Sequence, residues 1–349
     1  MTFVSAISYY LPEKSISNKQ VIEEYEPFRK QKGLPSISDQ MIVEQTGIKS
    51  RYQAEYHETT LDLGRKAAEK LFEDYDLDRS EIDYLIFISD ALEHKGPTTA
   101  CILQHQLELG EHCASIDILH GCTGWIYGLS VAKAMIASNQ ATNVLLITGD
   151  VPTKVIHPED YELRAIFSDA AAATLISSEL KNTAHGDYEI GDFVFGTDGS
   201  GYKNLWVERS ATKEPADIEW LDQYKSLPTG LGGGRLRMKS SAIFLFAHRK
   251  VPELIKSTLK KNQAELDQID IIVPHQANGT MLDFLRKRMR IESHKFVNRI
   301  ENTGNTVSAS IPIALKQHIN ENGTGANNIL VAGFGIGYSW GGTLLRKVK

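Results

Sequence analysis

The chain has 349 residues, 42% of them hydrophobic, enough to bury one large core or two smaller ones. Its formal net charge of −6 excludes a basic surface over the whole chain, and with it nucleic-acid binding as the main role. Three cysteines, Cys101, Cys113 and Cys122, make no disulfide framework, and neither they nor the eleven histidines fall at zinc-ligand spacing. A reduced, cytoplasmic protein without a metal or other cofactor is expected. The opening MTFVSAISYYLPEKS lacks a basic stretch leading into an apolar one, and no apolar run is long enough for a membrane span, so no membrane insertion is expected.

In chain order, strand-like apolar runs alternate with amphipathic helical stretches, the pattern of an α/β protein. Strands are predicted at Val4–Ser8, Tyr84–Ser89, Ala114–Leu119, Val144–Thr148 and Ala171–Ile176, with helices near Thr60–Tyr75, Thr98–Leu109 and Thr123–Ser138. The second half repeats the theme. Strands are predicted near Glu189–Gly196, Ile269–Val273, Ile329–Ala332 and Tyr338–Leu345, with helices near Ser240–Lys261, Ala277–Met289 and Val307–Asn320.

Two short echoes link the halves. Ile82-Asp83-Tyr84-Leu85-Ile86 matches Ile269-Asp270-Ile271-Ile272-Val273, and Asn143-Val144-Leu145-Leu146-Ile147 matches Asn328-Ile329-Leu330-Val331. The aspartates are 187 positions apart and the asparagines 185, an offset that fits a duplicated βαβ unit as well as chance likeness between apolar strands. Halves at 1–180 and 181–349 follow. Between about 202 and 237, Pro215, Pro228 and a glycine-rich run at 230–234 read as a loop or cap. That run is no phosphate cradle, because it lacks a following Lys-Ser/Thr and no strand leads into it.

Three residues carry the chemistry. Cys122 follows a strand, and Gly121 permits a tight turn into a helix. A thiol at a helix N-terminus is expected to ionise more easily, and the free N–H groups there can stabilise an oxyanion. The ordinary fate of a free cysteine is an inert buried side chain, and Cys101 and Cys113 are read that way. His275 and Asn305 each lie between a predicted strand and a predicted helix, where α/β proteins place ligands. Each alone reads as a helix cap. One Cys, one His and one Asn at three such turns form a candidate acyl-transfer site.

With these residues the sequence resembles the ketoacyl-ACP synthase III branch of the thiolase superfamily. The resemblance runs from Tyr10-Leu11-Pro12 through Thr46-Gly47-Ile48, the Cys122 segment, Phe167-Ser168-Asp169-Ala170 and Thr197-Asp198-Gly199-Ser200. It continues over Pro274-His275-Gln276-Ala277-Asn278, Gly304-Asn305-Thr306 and Phe334-Gly335-Ile336-Gly337 to Trp340-Gly341-Gly342. It implies a thiolase fold, two similar βαβ-rich halves in an α-β-α-β-α arrangement of five layers, and a homodimer. The activity implied is a ping-pong condensation. Cys122 accepts an acyl group from a carrier protein or CoA thioester, while His275 and Asn305 polarise a second thioester. Backbone N–H groups of Cys122 and Ile336 would form the oxyanion hole, Ile336 standing where the family usually has glycine.

Departures from the family pattern shape the expected substrate. The aromatic and cationic clamp on the CoA adenine is replaced by Met41 and Tyr161, which points to a carrier-borne donor. Gly96 stands where a bulky residue closes the acyl pocket in short-chain members, so a medium or long acyl group is expected, unless Trp125 or Trp206 closes that pocket instead. Arg286 and Arg288, beside Lys287 and Arg290, would dock an acidic carrier protein, or simply form a solvated helix face. Decarboxylative condensation in a specialised lipid or polyketide pathway and condensation with ring closure to a dialkylresorcinol or cyclohexanedione precursor both fit. Acyl transfer to an oxygen or nitrogen nucleophile, or an inactive partner subunit, fits less well with the Cys, His and Asn all present.

Overall fold

The computed structural model describes residues 1–183, 186–213 and 234–348. Its strands in the first half are β1 (Phe3–Tyr10), β2 (Lys14–Ser17), β3 (Ser50–Gln53), β4 (Tyr84–Ser89), β5 (Ala114–Leu119), β6 (Asn143–Asp150) and β7 (Ala170–Ser177). The second half adds β8 (Tyr188–Ile190), β9 (Val194–Thr197), β10 (Leu205–Glu208), β11 (Arg235–Met238), β12 (Ile271–Pro274), β13 (Asn328–Gly335) and β14 (Ser339–Lys347). The long strands are apolar because both of their faces are covered: every residue of β6 and β7 is buried.

The main sheet runs β12-β13-β14-β8-β1-β7-β6-β4-β5, with β9 also paired to β14. The two halves repeat one plan. In the first, β4 is parallel to β6, β6 antiparallel to β7 and β7 antiparallel to β1. In the second, β12 is parallel to β13, β13 antiparallel to β14 and β14 antiparallel to β8. The sequence echoes are the joints of this plan. Asp83 accepts from the N–H groups of Thr142 and Asn143, and Asp270 accepts from those of Asn327 and Asn328. Asn143 then donates to the Glu81 carbonyl, as Asn328 does to that of Gln268. Identical bonding at both positions makes the repeat structural, not a coincidence of apolar composition. Among the described residues β5 has no counterpart and ends the sheet.

Helices cover these sheets in five layers. Thr60–Tyr75 and Thr99–Gln106 lie on the outer face of the first half, and Ser240–Lys261 on that of the second. Gly124–Ala137 and Ser310–Asn322 are sandwiched between, touching strands of both halves. Three apolar clusters fill the gaps, the central one built on Ile88, Trp125, Leu129, Leu146, Val331 and Ile311. No helix among the described residues is long and apolar enough to cross a membrane.

The structure corrects several expected elements. The strand expected over Glu189–Gly196 is two strands, broken where Gly191 packs against the Asn262 side chain and the Leu344 carbonyl. Part of the expected loop at 202–237 is an antiparallel ladder, β10 against β11; residues 214–233, with most of the glycine-rich run, lie outside the described residues. Helices at Asn18–Lys32, Asp39–Thr46 and Tyr161–Ile166 were not expected. The first bears a reciprocal Ser17–Gln20 cap and buries only Asn18, Val21 and Tyr25, so its apolar periodicity is weak.

Candidate active site

Cys122 sits in the turn between β5 and the helix Gly124–Ala137, which the Gly124 N–H closes by donating to the Gly121 carbonyl at 2.6 Å. Two glycines make the fit possible. A Cβ on Gly121 would overlap the Asp90 carboxylate, and one on Gly335 would fall 2.6 Å from both Cβ and Sγ of Cys122. The thiol is 4% exposed. The backbone N–H groups of Ile336 and of Cys122 itself favour its ionised form. The expectation of an easily ionised thiol is overturned: burial, then the charges of Asp90 and Asp150, outweigh those N–H groups and push the Cys122 pKa up to about 12.

His275 caps the end of β12. Its N–H donates to the Ala332 carbonyl at 2.8 Å, and its side chain is buried with Nδ1 2.6 Å from Ser310 Oγ. Ser310 Oγ also accepts from the Gln276 N–H at 3.4 Å. Burial depresses the imidazole to about 3, so it is neutral at physiological pH. Asn305 is held by main-chain bonds: its N–H donates to Ile166 and its carbonyl accepts from Ser168. Its Oδ1 takes the Val307 N–H at 3.0 Å, the cap expected of an isolated Asn, while Nδ2 reaches the Ala277 carbonyl at 3.3 Å.

β13 brings these turns together. Ala332 holds His275, Phe334 meets the His275 ring edge-on at 5.5 Å, and Gly333 and Gly335 abut Thr123 and Cys122. Asn305 joins through Phe167, its bridge partner, which packs in the same apolar cluster as Cys122. No hydrogen bond links the three side chains directly. A cavity of about 520 Å³ opens over Cys122, walled by Phe167, Leu205, Leu236, Val307 and Ile336. His275 and Asn305 are not among the residues that line it.

Two acids that sequence reasoning missed share the site. Asp150, at the end of β6, is buried and accepts from the Asp90 N–H at 2.7 Å and from the N–H and hydroxyl of Ser308. Asp90, just past β4, lines the cavity, and its carboxyl is held above the usual range by the surrounding protein and the Asp150 charge. The signal was available: a charge at the C-terminal end of a buried strand, where α/β sheets bind ligands. Lys154, also missed, lies on the wall and donates to the carbonyls of Glu55 and Tyr56.

The remaining expected site residues scatter. Trp125 is fully buried in the central core, its indole N–H donating to Thr174, and is no part of the cavity wall. Trp206 does not line the cavity either, although its neighbours Leu205 and Val207 do. Tyr161 packs in a separate cluster with Tyr25, Ile16, Val21 and Ile42, away from the cavity. Its neighbour Arg164 is buried and paired with Glu24. Met41 is exposed. Gly96 is exposed with open space around it and does not reach the cavity within this chain. Arg286 is engaged by Asp283 and the Ile291 carbonyl, while exposed Arg288 meets His248 at 2.6 Å.

The family models for 3-oxoacyl-[acyl-carrier-protein] synthase III match residues 116–199 and, for its C-terminal part, 259–347, the stretches that carry Cys122, His275 and Asn305. The beta-ketoacyl-[acyl-carrier-protein] synthase III of Clostridium perfringens is 32% identical over 97% of this chain and 96% of its own. The chain belongs to the 3-oxoacyl-[acyl-carrier-protein] synthase III family. This synthase III member therefore has the thiolase fold and is a condensing acyltransferase of fatty-acid or polyketide biosynthesis. A crystal structure of a 3-oxoacyl-(acyl-carrier-protein) synthase III superposes with a TM-score of 0.86 at 35% identity, covering 99% of each chain. The priming beta-ketosynthase of the R1128 polyketide pathway gives 0.83 at 27%, covering 99% of this chain and 96% of its own.

Proposed function

We propose that Cys122 is acylated by a carrier-borne thioester and that the acyl group then condenses with a malonyl- or β-ketoacyl-thioester. The sulfur attacks the donor carbonyl, the donor thiol leaves with the thiol proton, and the acyl carbonyl oxygen takes the N–H groups of Cys122 and Ile336. The observation that carries this reading is that the Gly335–Gly337 turn, which bears the Ile336 N–H, packs directly on Cys122, Gly335 leaving no room for a Cβ beside its Sγ. Neutral His275 and Asn305, the latter with an N–H beyond its one long bond, donate to the second thioester's carbonyl as its enolate forms. The enolate electrons come from the carbon–carbon bond that breaks as a malonyl thioester releases CO2, or from the α-C–H bond of a β-ketoacyl thioester. The enolate carbon attacks acyl-Cys122, its C–S bond breaks, and the sulfur takes up a proton, from water in the first case and the α-proton in the second. Because the resting thiol is hard to ionise, it loses its proton only as the donor carbonyl arrives.

A cavity of about 520 Å³ with mainly apolar walls suits a medium or long acyl chain, and the exposed Met41 and remote Tyr161 offer no adenine clamp, which favours a carrier protein as donor and a specialised pathway. Condensation with or without ring closure uses the same three side chains. We take 1–180 and 181–349 as the two halves, and a homodimer forms through β5, whose outer edge carries no partner strand among the described residues and whose Leu119 is 64% exposed. Mass spectrometry of product from acyl-carrier thioesters with malonyl or β-ketoacyl partners tests the reading and distinguishes open from cyclised product. Product formed at the wild-type rate by Cys122→Ala would refute it.

A further inference from the structure

The cavity wall is mainly apolar, with Asp90, Glu93, Lys95 and Lys154 among its polar side chains. Asp90 lines the space beside the turn that carries Cys122, its carboxylate filling the place a Cβ on Gly121 would take. Its backbone N–H is committed to Asp150, but its carboxyl oxygens accept no hydrogen bond among the described residues. Glu93, three residues on and on the same wall, has Oε2 buried with no partner. Two lysines lie on this wall: Lys154 gives its ammonium to the Glu55 and Tyr56 carbonyls, and Lys95 makes no ion pair with Asp90 or Glu93 among the described residues.

Two costs follow from this arrangement. A carboxylate next to the nucleophile opposes the thiolate. A plain alkyl chain entering the cavity would strip water from Asp90 and leave its oxygens unpaired. An acyl group carrying a hydrogen-bond donor close to the thioester removes the second cost, because Asp90 packs on the residue that precedes Cys122.

We propose that Asp90 is a specificity-determining residue and that the acyl group this enzyme loads bears a hydrogen-bond donor, a hydroxyl or an ammonium, within its first few carbons, followed by an apolar chain. The proposal rests on Cys122 being the acylated residue. Asp90 touches the acyl substituent and takes no part in bond making.

The test uses N-acetylcysteamine thioesters, which need no carrier: octanoyl, 3-hydroxyoctanoyl and 3-aminooctanoyl. Acylation rates are read by intact mass on the wild type, Asp90→Ala and Asp90→Asn. The wild type is expected to load one donor-bearing chain about tenfold or more faster than octanoyl, and Asp90→Ala to bring that ratio close to one. Asp90→Asn separates the two sources: a hydroxyl preference survives it, and an ammonium preference does not. If Asp90→Ala does not fold, the wild-type ratio and Asp90→Asn decide. Octanoyl loading fastest in the wild type, or a donor preference that Asp90→Ala leaves intact, overturns the assignment. No adduct on Cys122 from any of the three, with the thiol still open to iodoacetamide, refutes the acylation reading itself and this proposal with it.

Discussion

Replacing Gly335 by alanine isolates how closely β13 holds the nucleophile. The added Cβ would lie 2.6 Å from both Cβ and Sγ of Cys122, against about 3.4 Å for an ordinary contact, so roughly 0.8 Å must be found. Rotating the thiol cannot supply it, because Cβ is as close as Sγ. Nor can the turn retreat, since Gly121 behind it already touches the Asp90 carboxylate and the Ile336 side chain. The strain should cost about 1–3 kcal/mol of stability. Displacing the sulfur by most of an ångström from the Cys122 and Ile336 N–H groups should slow acylation by about 10²-fold. Thermal melting gives the first quantity, and the rate of adduct formation from a saturating acyl thioester gives the second. A Gly335→Ala enzyme that melts with the wild type and acylates within about twofold of it would refute the packing argument.

Further outcomes follow from the same geometry. His275→Ala should accept an acyl group on Cys122 yet form no condensation product, read by intact mass and product mass on one sample. Alkylation of Cys122 by iodoacetamide should climb with pH without levelling below pH 10, and Asp90→Asn should move that curve to lower pH, because burial and then the Asp90 charge hold the thiol near 12. The His275 imidazole binds its proton near 3 when folded and near 6.5 when unfolded, so between those values the unfolded state holds more protons. His275 should therefore remove about 1.4 kcal/mol of stability per pH unit as pH falls below 6.5, a slope that urea unfolding of the wild type shows and His275→Ala lacks. Arg288→Glu should raise the KM for a carrier-borne donor and leave a small thioester unaffected; the same change at Arg286 also breaks its contacts with Asp283 and the Ile291 carbonyl and should lower stability.

The legible parts were those written locally. Cys122, His275 and Asn305 each sit in a short strand–turn–helix segment, and the apolar strands and the Thr60–Tyr75 and Ser240–Lys261 helices follow from periodicity alone. The duplication was legible because Asp83 and Asp270 make the same pair of bonds to the neighbouring strand. What failed was set by distant parts of the chain. The thiol's acidity was misread because burial by distant parts of the chain, joined by the charges of Asp90 and Asp150, outweighs the turn's own N–H groups. The β10–β11 ladder was missed because its two strands lie far apart in the sequence. Trp125 looked like a pocket residue from its nearness to Cys122, but three positions along a helix turned it into the core.

Incubating the protein with an acyl thioester, mapping the adduct by peptide mass spectrometry and then adding a malonyl thioester tests the central claim in one experiment. The adduct should lie on Cys122 and should vanish as the elongated product forms. An adduct on another residue, or one on Cys122 that persists while product accumulates, would contradict it.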